Sequence, residues 1–229
     1  MDATPRSFEL TIGYTDKQGT IHKKITLSRR LTGSRLFSSD DDPQSDIPTQ
    51  REALIIRNAI TEFGTLSMPV TINTLLDLDS IDRDDLTAEH DKFLQEGTGG
   101  RFPEFLADNK VKLIFGYEKD GQRYDLIEFG ARYTGRDEVD ADMLGYDGLR
   151  RLCFLIGKQV TKSSTADGAS VIDGALPIEV FDDLDSADIF ALQVAAERWR
   201  QSFRSKSRTV QEEVGAESAS VGGADGLES

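Results

Sequence analysis

The sequence predicts an α+β fold made of two tandem similar units, each a β-hairpin followed by two or three helices. Three recurrences carry that expectation. Leu78-Asp79-Ser80-Ile81-Asp82 returns as Leu184-Asp185-Ser186-Ala187-Asp188, Arg30-Leu31-Thr32-Gly33 returns as Arg132-Tyr133-Thr134-Gly135, and Ile12-Gly13-Tyr14 answers to Phe115-Gly116-Tyr117. They fall in the same order both times, and such a match is hard to produce by composition alone. The expected organisation is a first repeat over 1–97, a linker over 98–109, a second repeat over 110–205 and a disordered acidic tail over 206–229.

In the first repeat, Phe8, Leu10, Ile12 and Tyr14 alternate with polar residues, the period of a half-buried strand. Thr15 to Gly19 reads as a turn, and Ile21, Lys23, Ile25 and Leu27 give a returning strand whose other face carries His22 into solvent. Ser34 to Pro48, with Asp40-Asp41-Asp42-Pro43, has no usable period and is expected to be a mobile loop. Thr49 with Glu52 three residues on makes a capping box for a helix carrying Leu54, Ile55, Ile56, Ala59, Ile60 and Phe63, closed by Gly64. A turn of helix follows around Leu75, Leu76 and Leu78. Asp79 or Ser80 then caps a helix to about Gln95, with Asp82, Asp84 and Asp85 at the positive end of its dipole.

Gln95 to Pro103 breaks every pattern, and Phe102, Phe105 and Leu106 should dock this linker in part. The second repeat restarts with Val111, Leu113, Phe115 and Tyr117, turns at Glu118 to Gly121, and returns through Tyr124 to Gly130. Asp137 to Gly148 stands where the acidic loop stood, Leu149 to Val160 forms a helix, and Thr161 to Gly174 reads as a polar insertion. In the last helix Ile189, Leu192, Ala196, Trp199 and Phe203 form one apolar stripe, which should bury Trp199. Beyond Arg208 large apolar residues almost vanish, the composition of a disordered tail.

The 229 residues, 38% hydrophobic and 30% charged, are those of a water-soluble chain with no apolar run long enough to span a membrane. The start of the chain lacks the charged and apolar pattern of a signal peptide, so the protein should stay in the compartment where it is made. A formal charge of -14 repels phosphate backbones and anionic lipid, which argues against nucleic-acid and membrane partners. The single cysteine, Cys153, lies in an apolar run and reads as a core residue, which excludes an internal disulfide and a cysteine zinc site.

No catalytic, cofactor or metal constellation emerges. His22 and His90 have no counterparts in the other repeat and read as surface residues. A calcium loop started at Asp77 places Ile81, Asp82 and Ala88 where a ligand, a glycine and a bidentate glutamate belong. Asp40 to Asp42 with Asp46 read as solvated loop charge, the glycine runs lack the lysine of a phosphate loop, and no Gly-x-Ser-x-Gly elbow exists. Arg30 and Arg132 remain, recurring at the end of the second strand of each repeat. They are either equivalent anchors for a partner's carboxylates or ties between each hairpin and a nearby helix cap or C-terminus.

Lys24 to Gly33, taken with Leu66-Ser67-Met68-Pro69-Val70 and Leu75 to Leu86, resembles the small tail assembly chaperones of tailed phages and prophages. The likeness covers about Phe8 to Glu96, with a fainter echo over Val111 to Phe203. It implies a non-enzymatic tail assembly factor that holds a tape-measure, tube or baseplate component in the host cytoplasm, with no catalytic residues to carry over. The length and duplication depart from that family and point to the alternative, a structural subunit of a phage tail, baseplate or phage-like contractile particle. A duplicated unit can place two similar surfaces about a pseudo-twofold axis and so imitate a dimer; self-association stands beside the tail proteins among the partners considered.

Overall fold

The computed structural model describes the backbone of residues 4–220 and the side chains of residues 4–203, and its architecture is α+β. The first half holds β1 (Arg6–Thr15), β2 (Ile21–Leu27), α1 (Gly33–Asp40), α2 (Pro48–Ala59), β3 (Ile60–Phe63), α3 (Ile72–Leu76) and α4 (Ser80–Gly97). After β4 (Glu104–Ala107) the same order recurs as β5 (Lys110–Lys119), β6 (Gln122–Phe129), α5 (Gly135–Met143), α6 (Gly148–Gln159), β7 (Val160–Ser164), α7 (Ile178–Asp183) and α8 (Ser186–Ser220). A short β8 (Val171–Asp173) is inserted before α7. The strands form two antiparallel sheets, β1-β2-β3 and β4-β5-β6-β7-β8.

Several elements differ from the sequence reading. The linker is docked in part through Phe105 as expected, but Phe102 and Leu106 are exposed and Glu104–Ala107 forms a strand paired with β5. Ile60 and Phe63 belong to a strand and not to the end of a helix; α2 stops where Ile60 turns to extended geometry, ψ 130°, and both residues are fully buried against the sheet partner β2. The insertion after α6 is the hairpin β7–β8. The expected loop at Ser34 and its counterpart at Asp137 are the helices α1 and α5. The capping box at Thr49 is absent, since α2 begins at Pro48 and its N-cap Ile47 has no side-chain acceptor. Asp79 does cap α4, its Oδ1 accepting from Ile81 N at 2.9 Å.

The last helix continues through Ser220, so helix replaces disorder over 206–220, and 221–229 lie outside the described residues. Gln211, Glu212, Glu213, Ala216 and Glu217 are good helix formers that extend a helix already nucleated by packing. Trp199 is half-buried; its Nε1 donates to Ala131 O at 3.1 Å and its ring meets Phe203 edge-on at 4.4 Å.

A bulge interrupts the first strand of each half. In β1 the alternation holds to Leu10, then slips, leaving Ile12 exposed. Gly13 takes φ 91° there, and the Ile12 and Gly13 amides donate to the Asp82 carboxylate, Gly13 at 2.6 Å. In β5, Gly116 takes φ 64°, and Ile114, Phe115 and Gly116 donate to Asp188 at 2.7, 3.0 and 2.8 Å. The last aspartate of each recurring Leu-Asp-Ser-x-Asp run therefore fills the bulge of its own first strand. The shifted register turns Ile21 outward and buries His22, reversing the expected faces.

Two buried clusters form the core. One lies between the first sheet and α2, α3 and α4; the other lies between the second sheet and α6, α7 and α8. Phe37, on α1 of the first half, belongs to the second cluster and is fully buried there.

Candidate protein-docking site

The recurring Arg-x-Thr-Gly segment of the first half docks on the recurring Leu-Asp-Ser segment of the second. Gly33 N donates to Leu184 O at 2.9 Å and Ser186 N to Leu31 O at 2.8 Å, which makes an isolated antiparallel bridge between Thr32 and Asp185. Arg30 Nε donates to Asp185 Oδ2 at 2.7 Å and one terminal nitrogen to Gly97 O at 3.2 Å, while the guanidinium lies 3.6 Å over the Phe115 ring. Arg30 thus ties the first half to a helix cap of the second. Asp185 serves both, since its Oδ1 accepts from Ala187 N at 3.0 Å.

Contact is closest at Gly33, where a Cβ would stand 1.7 Å from Phe181 O. Only glycine allows that approach. From there α1 lays Phe37 beneath Arg150, whose guanidinium sits 4.6 Å above the ring. At the far end Asp40 Oδ2 accepts from Leu149 N at 2.7 Å, while Asp40 Oδ1 holds Arg51 of its own half at 2.5 Å. The N-cap of α6, Asp147, makes no side-chain cap bond, so an aspartate from the first half does that work.

The corresponding face of the first half is open. A groove of about 440 Å³ runs between α2, α3 and α4, with Ala53, Ile56, Leu75 and Leu86 on its floor. Exposed Glu52, Asp84 and Ala88 stand on its rim, and Thr87 Oγ1 donates to Glu52 across it at 3.0 Å. Asp79 and Ser80 are exposed, whereas Asp185 is buried and Ser186 half-buried under the docked segment. The second segment, Arg132 to Gly135, is exposed except for half-buried Tyr133. The Arg132 guanidinium lies 4.5 Å over Phe203, and no described atom comes within 4 Å of a Cβ placed on Gly135. Of the two recurring arginines, then, one is engaged between the halves and the other is presented at the surface.

The histidines are both buried. His22 Nδ1 accepts from Thr65 N at 3.3 Å, which leaves Nε2–H to donate to Asp16 Oδ2 at 3.1 Å. That bond, with the Thr20 and Gln18 amides, holds the Asp16 carboxyl below its ordinary value. His90 is buried in α4 with Nε2 unpartnered among the described residues, and burial lowers its pKa. Burial pushes the Cys153 thiol up to about 12, far from a reactive thiolate. Among the described residues no group of three or more His, Cys, Asp or Glu is placed to hold a metal, and no helix is long and apolar enough to cross a membrane.

The docking contact was within reach of the sequence, because both of its parts are recurring segments. The missing step was that they bind each other and do so across the halves. Set beside known proteins, the chain matches no family model, no curated protein and no solved structure.

Proposed function

We propose that this chain is a non-catalytic assembly factor of a phage or phage-like tail, which binds another tail protein through the groove between α2, α3 and α4. One observation carries the reading. The second half uses the same face to take up a short helix with a buried aromatic residue, Phe37, and the first half offers an open groove there. A floor of four aliphatic side chains with a polar rim that includes Glu52, Arg83, Asp84 and Asp91 suits a short amphipathic helix laid across it. The resemblance of Lys24 to Gly33 and Leu75 to Leu86 to tail assembly chaperones supports the tail assignment and, with it, work in the host cytoplasm. The charge of -14 would help keep a complex with an apolar client in solution.

A second reading, a structural subunit of a tail or baseplate, is favoured by α5, which exposes Val139, Met143 and the adjoining Leu144. A photo-crosslinking side chain at exposed Ala88, in cells carrying the natural gene cluster, tests the first reading. Adducts with a tape-measure, tube or baseplate protein are expected. Equal labelling from the same group at Lys17, in the first hairpin turn, would overturn it. Finding the protein in stoichiometric amount in purified particles would select the structural subunit.

A further inference from the structure

We propose that the open groove of the first half is filled by α5 of a second copy of this chain, in a head-to-tail contact that copies the docking of α1 on the second half. The proposal rests on the groove being a docking face, which a second copy fills until a tail protein displaces it. Four features of the internal contact have counterparts in place for it.

The first is the arginine. Arg30 binds Asp185, which also caps its own helix, while exposed Arg132 and exposed Asp79, the cap of α4, are the same two residue types at the corresponding positions. The second is the glycine. Gly33 is required by Phe181 O at 1.7 Å, yet Gly135 meets no described atom within 4 Å. Nothing described within its own chain calls for glycine at 135; a carbonyl of another copy, that of Leu75 by position, does.

The third is the apolar helix face. Phe37, five residues after Thr32, is fully buried; Val139, five residues after Thr134, is 47% exposed, with Met143 one turn on at 78% and Leu144 at 58%. The inner face of both helices is already used in the same way, since Ser39 packs against α2 through Asn58 Nδ2 at 2.8 Å and Ala141 is buried on α6.

The fourth is the far-end aspartate. Asp40 holds Arg51 with one oxygen and caps α6 of the other half with the other. Asp142 holds Arg151 at 3.0 Å through Oδ1, and α2, whose N-cap is Ile47, has no side-chain cap of its own. Asp142 Oδ2 reaching Thr49 N of the next copy completes the correspondence.

Such a contact is heterologous: one patch on a subunit meets a different patch on the next, so association continues into a closed ring or an open filament. Sedimentation velocity on the full chain tests it. The wild type is expected to form species larger than a dimer at about 100 μM, a range in which even micromolar contacts are populated. Gly135→Ala should keep the wild-type melting temperature, because its Cβ meets no described atom of its own chain, and should weaken association at least about tenfold, equivalent to 1.4 kcal/mol. Asp79→Arg should do the same from the acceptor side. Mixing the two variants leaves one intact donor and one intact acceptor, so a 1:1 heterodimer and nothing larger is expected.

A wild type that stays monomeric, or a folded Gly135→Ala protein that associates as the wild type does, overturns the proposal. If monomeric protein still gives Ala88 adducts with a tail component, only the self-docking fails and the assembly-factor reading stands. If the wild type associates but Ala88 gives no tail adducts, the self-docking stands and the assembly-factor reading fails.

Discussion

Asp188→Asn tests whether the recurring aspartate is what holds each first strand to its closing helix. Asp188 is fully buried and accepts from three successive amides, Ile114 through Oδ1 and Phe115 and Gly116 through Oδ2. An amide keeps one acceptor oxygen. If that oxygen faces Phe115 and Gly116, the new NH2 faces the Ile114 N–H, donor against donor. One hydrogen bond to a charged group, worth about 1.5–3 kcal/mol, is lost and a buried N–H is left unpaired. The variant escapes part of the burial cost of a carboxylate, for burial lifts the pKa of Asp188 above its ordinary value against the pull of the three amides. The balance is a loss of about 2 kcal/mol at neutral pH. Urea unfolding should show a lower midpoint at unchanged slope.

The pH dependence has a definite sign. A carboxyl whose folded pKa lies above its unfolded value binds protons more tightly when folded. Its contribution to stability therefore falls as pH rises from the ordinary 3.8 through the raised folded value, and is level above it. The advantage of the wild type over Asp188→Asn should then be larger near pH 4 than near pH 7. A difference below about 0.5 kcal/mol at pH 7, the scale of an ordinary surface substitution, or a gap that widens as pH rises, would refute the reasoning.

Gly33→Ala drives a Cβ against Phe181 O and lifts α1 from the second half, with a loss of about 3–5 kcal/mol, the scale of removing a buried phenylalanine. Thermal melting reads the loss, and hydrogen exchange should find the amides of α7 deprotected first. His90 is neutral in the fold because burial lowers its pKa, so its contribution is full above the unfolded value of 6.5 and is lost as pH falls below it. His90→Leu should flatten the urea midpoint between pH 7 and pH 5 and, by removing the unpaired Nε2, stabilise the protein by about 1 kcal/mol at the lower end. Cys153, buried and with its thiol lifted to about 12, should react with an aromatic disulfide on the order of 100-fold more slowly in native protein than in urea.

The sequence was most legible where a local period coincided with burial. The strands at Phe8, Ile25, Val111 and Ile127, and the helices around Leu54, Leu86, Ile156 and Leu192, followed their apolar spacing. β3 and β7 were hidden because they follow a helix without a break. Ile60 and Phe63 stand three apart, a spacing that continues a helix as well as it places two residues in a short strand. α1 was hidden for another reason. Of its residues only Leu36 and Phe37 are large and apolar, too few for a period, and the core they enter is built by the second half, from Phe105 onward. His22 failed through the bulge at Gly13: the slip of register exchanges the faces of Ile21 and His22 while Ile25 and Leu27 keep theirs, and alternation carries no mark of it. At the candidate site both arginines were visible, but their different fates were not. Arg30 and Arg132 have the same local sequence setting, and only the long-range position of Asp185 separates them.

That separation follows from topology. When a chain carries two donor segments and two acceptor grooves, and the first donor fills the second groove, the first groove and the last donor are left without each other, and among the described residues neither is covered. Every array of this kind ends with one open face of each sort, and a terminal face must either be made polar or be used. The acceptor end here keeps Leu75, Ile56 and Leu86 beneath an open groove, and the donor end exposes Val139, Met143 and Leu144. Neither end is polar throughout. A donor surface that served only as a terminal cap would gain solubility from serine or lysine at 139 and 143 and would have no use for glycine at 135. Arg132, Gly135 and Asp142 at one end and Asp79 at the other instead repeat the residue types of the filled interface, the pattern that continued docking between copies would require.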